Sequence, residues 1–264
     1  MRVKLTFAPV SRKAVLPINY NYLLTSLIYK IIRNSSRDYS AFLHDEGYKI
    51  GESKKGFKLF TFSMLKGGKF RADHSDIVFS GGHIQWEISS PVNDFIQHLV
   101  SGVFSQGHEI RIGPANAEVR FLIGQVETLP RPEFKETMKF TCLSPITVSK
   151  IIGIPPLTSG LRCHYLRPWE DDFSEAIKNN LVKKCRLVTG EAPEDAEFRI
   201  KIDAEYMNKK NGKITKKINF KGTDIIGFMA PFQVTGNAEL IEVGYEAGFG
   251  GKGSMGFGMV KEIV

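Results

Sequence analysis

Two stretches of this chain carry residue types and spacings suited to chemistry on a polyanion. The first runs Val243-Gly244-Tyr245-Glu246-Ala247-Gly248-Phe249-Gly250-Gly251-Lys252-Gly253-Ser254-Met255-Gly256-Phe257-Gly258-Met259-Val260. Glycines permit positive φ and let backbone N–H groups approach a phosphate without obstruction, and Lys252 adds a cation to that cradle. The second is Phe42-Leu43-His44-Asp45-Glu46. An imidazole with an ordinary pKa of about 6.5 exchanges protons at neutral pH. A helix end and flanking carboxylates suit it to donating one. Each stretch has a plainer alternative: a flexible glycine-rich turn, and a histidine that only caps the last carbonyls of a helix.

Other readings of the glycines fail on topology. A dinucleotide fingerprint needs strand, glycines, then helix, whereas here an apparent helix precedes the glycines and a strand follows them. A phosphate loop needs Gly-Lys-Ser/Thr at the opening of a helix, and no such run occurs. Cys142, Cys163 and Cys185 are too far apart for a paired zinc site or a disulfide framework and read as reduced thiols. The 264 residues carry 36 Lys and Arg against 28 Asp and Glu, a net charge of +8 that favours a polyanionic partner. No apolar run approaches the length of a membrane span, and Met1–Phe7 alternates like a strand rather than a signal peptide, so a cytoplasmic protein is expected.

The elements that must position these residues fall into two similar halves. Strand Arg2–Phe7 leads to a helix over 19–33 with the core stripe Leu24, Leu27, Ile28, Ile31. Tyr22, Ser26, Tyr29 and Arg33 recur at helical spacing on another face, a polar, aromatic and basic one. A second helix over 36–44 stops at Gly47, strands follow at 57–65 and 83–89, a helix covers 91–105 with Pro91 first, and strands follow at 108–112 and 118–127. The paired prolines of Leu129-Pro130-Arg131-Pro132 mark a linker, taken as 130–135. Strand 138–143, helix 169–188, strands 197–205, 216–220 and 225–235, helix 238–247 and strand 257–264 complete the chain. Each half reads β-α-β-β-α-β, so the expected architecture is α+β with two tandem ferredoxin-like domains, 1–129 and 136–264.

Gly248-Phe249-Gly250 and Gly256-Phe257-Gly258, with Lys252 between them, resemble the signature loop of the RAMP (repeat-associated mysterious protein) superfamily. The flanking Val-Gly-Tyr-Glu and Met259-Val260, together with Leu143-Ser144-Pro145-Ile146, are similar to its CRISPR repeat-processing endoribonuclease branch. Leu27-Ile28-Tyr29, Phe42-Leu43-His44 and Lys58-Leu59-Phe60-Thr61 extend the likeness through the first half. The resemblance implies two ferredoxin-like domains, no cofactor, no metal and CRISPR repeat RNA as partner. It also leaves room for a homodimer and for other CRISPR-associated proteins.

The reaction implied is attack of a ribose 2′-hydroxyl on the adjacent phosphorus with loss of the next 5′-oxygen. It leaves a 2′,3′-cyclic phosphate and a 5′-hydroxyl. The resemblance makes His44 the proton-transfer residue and Tyr29 a group that positions the nucleophile or donates to phosphate. It places Lys58 as the cation facing the developing phosphorane charge. The residues Gly47 to Phe57 look like extra length before that lysine, and Lys54 or Lys55 could take its place. The RNA contacts implied are Gly248, Gly250, Lys252, Gly256, Gly258, Arg33, Lys150 and Arg162, with Arg167 nearby. Lys209-Lys210-Asn211-Gly212-Lys213 is a solubilising turn or a hairpin tip gripping phosphate, and Trp169, Phe249 and Phe257 either stack bases or pack a core. The alternative to a nuclease is a non-catalytic RNA-binding subunit on the same fold.

Overall fold

A computed structural model of the chain describes residues 1–53, 56–105, 107–114, 116–152 and 162–263. The described residues form two compact units: Met1–Arg131 with Ser254–Gly256, and Pro132–Gly253 with Phe257–Val264.

The first unit contains β1 (Arg2–Pro9), β2 (Ala14–Pro17), α1 (Asn21–Ser35), α2 (Arg37–Ala41) and a π turn (Phe42–Glu46). β3 (Thr61–Phe62), β4 (Lys66–Asp73), β5 (Asp76–Ser89), α3 (Asn93–Phe104), β6 (Glu109–Ile112) and β7 (Val119–Leu129) follow. The sheet order is β2-β5-β1-β7-β6, with β3 and β4 also paired to β5. β1 lies between two antiparallel neighbours, β5 and β7. This is the β-α-β-β-α-β order carried by β1, α1, β4, β5, α3 and β7. Alternation along β1 buries Val3, Leu5 and Phe7 against the helices. Lys4, on the other face, pairs with Glu127 at 2.8 Å. The α1 stripe Leu24, Leu27, Ile28 and Ile31 is buried as its spacing predicts.

The second unit contains β8 (Thr137–Cys142), β9 (Ser149–Ile152), β10 (Arg162–Tyr165), α4 (Asp172–Thr189), β11 (Phe198–Ile202) and α5 (Ala204–Lys209). β12 (Thr215–Phe220), β13 (Thr223–Phe228), β14 (Phe232–Gly236), α6 (Ala238–Ala247) and β15 (Val260–Glu262) complete it. Its sheet order, β11-β14-β8-β15, repeats the ferredoxin-like arrangement, with β8 between β14 and β15. The hairpins β9–β10 and β12–β13 are additions to that frame. Asn237 caps α6 by accepting from the backbone N–H groups of Glu239 and Leu240.

Several expected boundaries change. The strand expected over 57–65 is reduced to β3, and β4 follows it as a strand that was not expected. β4 is exposed along most of its length, so no alternation announces it. The strand expected over 225–235 is two strands, broken at Met229-Ala230-Pro231, where proline cannot continue a ladder. β12 pairs with β13 instead of β11, so the Lys209–Lys213 run follows α5 and is not a hairpin tip. Pro91 lies outside α3, which begins at Asn93 after Val92. Cys142 and Cys185 are buried and Cys163 is exposed, all as free thiols. Among the described residues no helix is long and apolar enough to cross a membrane.

Candidate active site

Tyr29, His44 and Lys58 come from three different segments and meet in the first unit. α1 presents Tyr29, half-buried, with its ring edge-on to His44 at 5.4 Å and to Phe60 at 6.2 Å. Burial pushes the Tyr29 phenol up to about 12, so at neutral pH it remains a hydrogen-bond donor. The Ser40 hydroxyl donates to the Tyr29 carbonyl at 3.2 Å, which ties α2 to α1 and so places the π turn that carries His44. The His44 side chain is 71% exposed. Its Nδ1 lies 2.7 Å from the Asp45 carboxylate, which leaves Nε2 facing solvent.

Lys58 reaches the same turn, donating from Nζ to the His44 carbonyl at 2.8 Å. Burial pushes the Lys58 ammonium below its ordinary pKa, with Lys49 acting in the same direction and Asp45 opposing. The chain leaves that turn after His44 and returns to it at Lys58. Tyr48 and Phe57 close that excursion with two reciprocal backbone hydrogen bonds of 2.8 and 2.7 Å. Gly47, at φ 68, has no side chain to block Lys58, and a Cβ there would sit 2.5 Å from the Phe57 carbonyl. Leu59 adopts φ 51 and is 3% exposed, and its carbonyl accepts from the Ser90 hydroxyl at 2.8 Å. A left-handed leucine costs about 1–2 kcal/mol and persists only where packing holds it. Lys54 and Lys55 lie outside the described residues.

The glycine loop is built differently from a bare flexible turn. Gly248, Gly250, Gly256 and Gly258 all have φ between 78 and 86, and all four are buried. A Cβ on Gly250 would lie 2.4 Å from the Thr147 carbonyl, and one on Gly258 2.3 Å from the Phe249 carbonyl. The loop's amides are used by the protein's own backbone: Phe249 N–H donates to Gly258 within the loop, and Gly251 N–H and Gly258 N–H donate to Thr147 and Pro145 of the neighbouring segment. Its surface portion is Gly251–Met255, with Lys252 held at φ 61. Within the first unit, the Asn21 amide donates to the Met255 and Gly256 carbonyls at 3.1 and 3.3 Å, and the Thr25 hydroxyl to Ser254 at 3.0 Å.

The family profile described as "CRISPR-associated protein Cas6, N-terminal" matches residues 15–127, and "CRISPR associated protein Cas6, C-terminal" matches 129–262. "CRISPR-associated endoribonuclease Cas6 1" of Methanocaldococcus jannaschii is 32% identical over 249 residues, covering 94% of this chain and 88% of the relative. This chain belongs to the Cas6 family. Among solved structures, the product of a Cas6-related gene from Pyrococcus furiosus superposes with a TM-score of 0.83 at 28% identity, covering 100% of this chain and 98% of that one. A chain described as "An RAMP protein binding different RNA substrates" superposes at 0.82 and 26% identity, with both chains fully covered.

Beyond Tyr29, His44 and Lys58, this Cas6 family chain disperses the residues singled out for RNA contact. Arg33 is exposed near the end of α1, one turn past Tyr29. Lys150 on β9 is ion-paired with Asp172, which holds its pKa up. Arg162 is placed by its backbone alone, opposite Ile152. Trp169 is 58% exposed, but Phe249 and Phe257 are fully buried. Those two phenylalanines pack the interior and are not available to stack a base. Phe249 contacts Phe140, Phe198 and Phe232.

One participant escaped the sequence reading. Lys184 on α4 is 4% exposed and donates to the carbonyls of Ala247, Gly248 and Gly250 at 3.2, 2.5 and 2.8 Å. Burial pushes its ammonium down to about 7. Its signal was positional, because it continues the buried stripe Phe173, Ile177, Leu181. A lysine there must find internal acceptors.

Proposed function

We propose that this chain is a metal-independent, sequence-specific endoribonuclease that cuts CRISPR repeat precursor RNA. The observation that carries the reading is the convergence of Tyr29, His44 and Lys58 from three separate segments. The 2′-hydroxyl gives up its proton as its oxygen attacks phosphorus, the bond from phosphorus to the 5′-oxygen breaks, and that oxygen takes up a proton in return. The products are a 2′,3′-cyclic phosphate and a 5′-hydroxyl. His44 moves the proton, since its exposed imidazole can reach a bound strand. Tyr29 stays protonated and donates a hydrogen bond to the phosphate or orients the nucleophile. Lys58 supplies positive charge where the phosphorane develops negative charge. The M. jannaschii relative's name, an endoribonuclease, supports the cleavage activity.

The direct test is incubation of repeat RNA with the chain in EDTA, followed by analysis of the product ends. Cleavage to cyclic-phosphate and 5′-hydroxyl ends is expected. RNA that is bound but left uncut in EDTA would overturn the metal-free nuclease and leave an RNA-binding subunit. Tyr29→Phe keeps the ring contacts with His44 and Phe60 while removing the donor. Its single-turnover cleavage rate should fall by about 10- to 100-fold with the melting temperature little changed. An unchanged rate would remove Tyr29 from the reaction.

The loop's half-buried stretch, Gly251–Met255, is the RNA-contacting part of the glycine signature, with Lys252 facing phosphate. Lys252→Ala should weaken RNA binding and lower the slope of log Kd against log salt by about 0.7–1. An unchanged Kd and slope would leave the buried glycines with a structural role only.

A further inference from the structure

The first unit carries a second basic feature close to the candidate active site. A cleft of about 650 Å³ is lined by Arg33, Asn34, Arg37 and Ser105, at the end of α1, the start of α2 and just past α3. Arg33 and Arg37 are both exposed, and among the described residues no carboxylate is paired with either. Some exposed cations of the unit have acidic partners, as Lys30 does with Glu118 and Arg111 with Glu109; Arg33 and Arg37 differ in lining one cleft together. Two unneutralised guanidinium groups facing one cleft repel each other unless an anion lies between them. Their planar donor forks match phosphate oxygens, and the Asn34 amide adds a neutral donor beside them.

The cleft also has a direction. Arg33 and Tyr29 are one helical turn apart on the same face of α1, about 5–6 Å between their Cβ atoms. A strand whose scissile phosphate lies against Tyr29, His44 and Lys58 therefore carries a neighbouring phosphodiester towards Arg33. We propose that this cleft is an RNA phosphodiester subsite for the segment flanking the cut, with Arg33 and Arg37 as its anion-binding pair. The subsite rests on the reading of the chain as a repeat-RNA nuclease and extends it.

The test compares the unaltered chain with the Arg33→Ala/Arg37→Ala double variant. The probe is the repeat RNA of the host's CRISPR array, 2′-deoxy substituted to prevent cutting. The double variant should keep the native melting temperature, since both side chains are exposed and unpaired. Its Kd should rise at least about tenfold. Its salt slope should fall by about 1.4, the release expected for two phosphates of a single strand at about 0.7 each. An Arg33→Lys/Arg37→Lys variant should recover the slope because it keeps the charge. A double variant with the native Kd and slope would overturn the subsite, and so would weaker binding with an unaltered slope. Failure of the unaltered chain to bind this RNA at all would sink the nuclease reading beneath it, and the subsite with it.

Discussion

Replacing His44 by alanine should slow cleavage of repeat RNA by about 10²- to 10⁴-fold, the range removed with a general acid or base, while binding stays close to native. The geometry makes this a clean substitution. The side chain is 71% exposed and makes one ring contact, with Tyr29, and one hydrogen bond, with Asp45. The link from Lys58 goes to the His44 carbonyl, which alanine retains. Folding should therefore change by no more than about 0.5 kcal/mol, as for other surface positions. Parallel measurement of single-turnover rate, Kd and melting temperature checks it. A variant that cuts at the native rate would remove His44 from the chemistry.

The second large effect is on stability. Gly250→Ala should destabilise the second unit by roughly 2–4 kcal/mol, or about 10 °C in melting temperature. The backbone there has φ 78, and a Cβ would lie 2.4 Å from the Thr147 carbonyl. The same segment accepts from Lys184 at 2.8 Å and anchors Gly251 N–H on Thr147 at 2.7 Å, so a shift disturbs both bonds. Gly251→Ala is the control. Its added Cβ would stand 3.8 Å from the Thr147 carbonyl, an ordinary contact, and its effect should stay within about 0.5 kcal/mol. Thermal unfolding of the two variants side by side separates a built loop from a loose one, and equal melting temperatures would contradict the packing argument.

These two substitutions also mark where sequence reading worked. The α1 stripe, the doubled β-α-β-β-α-β order and the placement of Phe42-Leu43-His44 after a helix were legible because local periodicity and punctuation decide them. β4 was not legible, because its exposed residues carry no alternation. The closeness of Lys58 to His44 was in doubt in the sequence, since only the Tyr48–Phe57 bridge shows that the intervening residues form a closed excursion. Phe249 and Phe257 illustrate a different limit. A phenylalanine that packs a core and one that stacks a base are the same residue until burial is known. Lys184 was hidden for a related reason. Its charge suggested a solvated face, while its place on the α4 stripe required internal carbonyl partners.

The glycine loop changes meaning under the same scrutiny. Its glycines look in sequence like an open cradle for phosphate, yet Gly248, Gly250, Gly256 and Gly258 are buried. They allow tight turns and close backbone approaches, which leaves Lys252 and its immediate neighbours as the accessible part.

Attack by the RNA's own 2′-hydroxyl is the central claim, and a single-atom change in the substrate tests it. A repeat RNA carrying one 2′-deoxynucleotide immediately before the cut, assayed in EDTA, should bind with native affinity and remain intact. The all-ribose RNA should be cut in the same buffer. Cleavage of the deoxy-substituted RNA at that bond would contradict the mechanism and require another nucleophile.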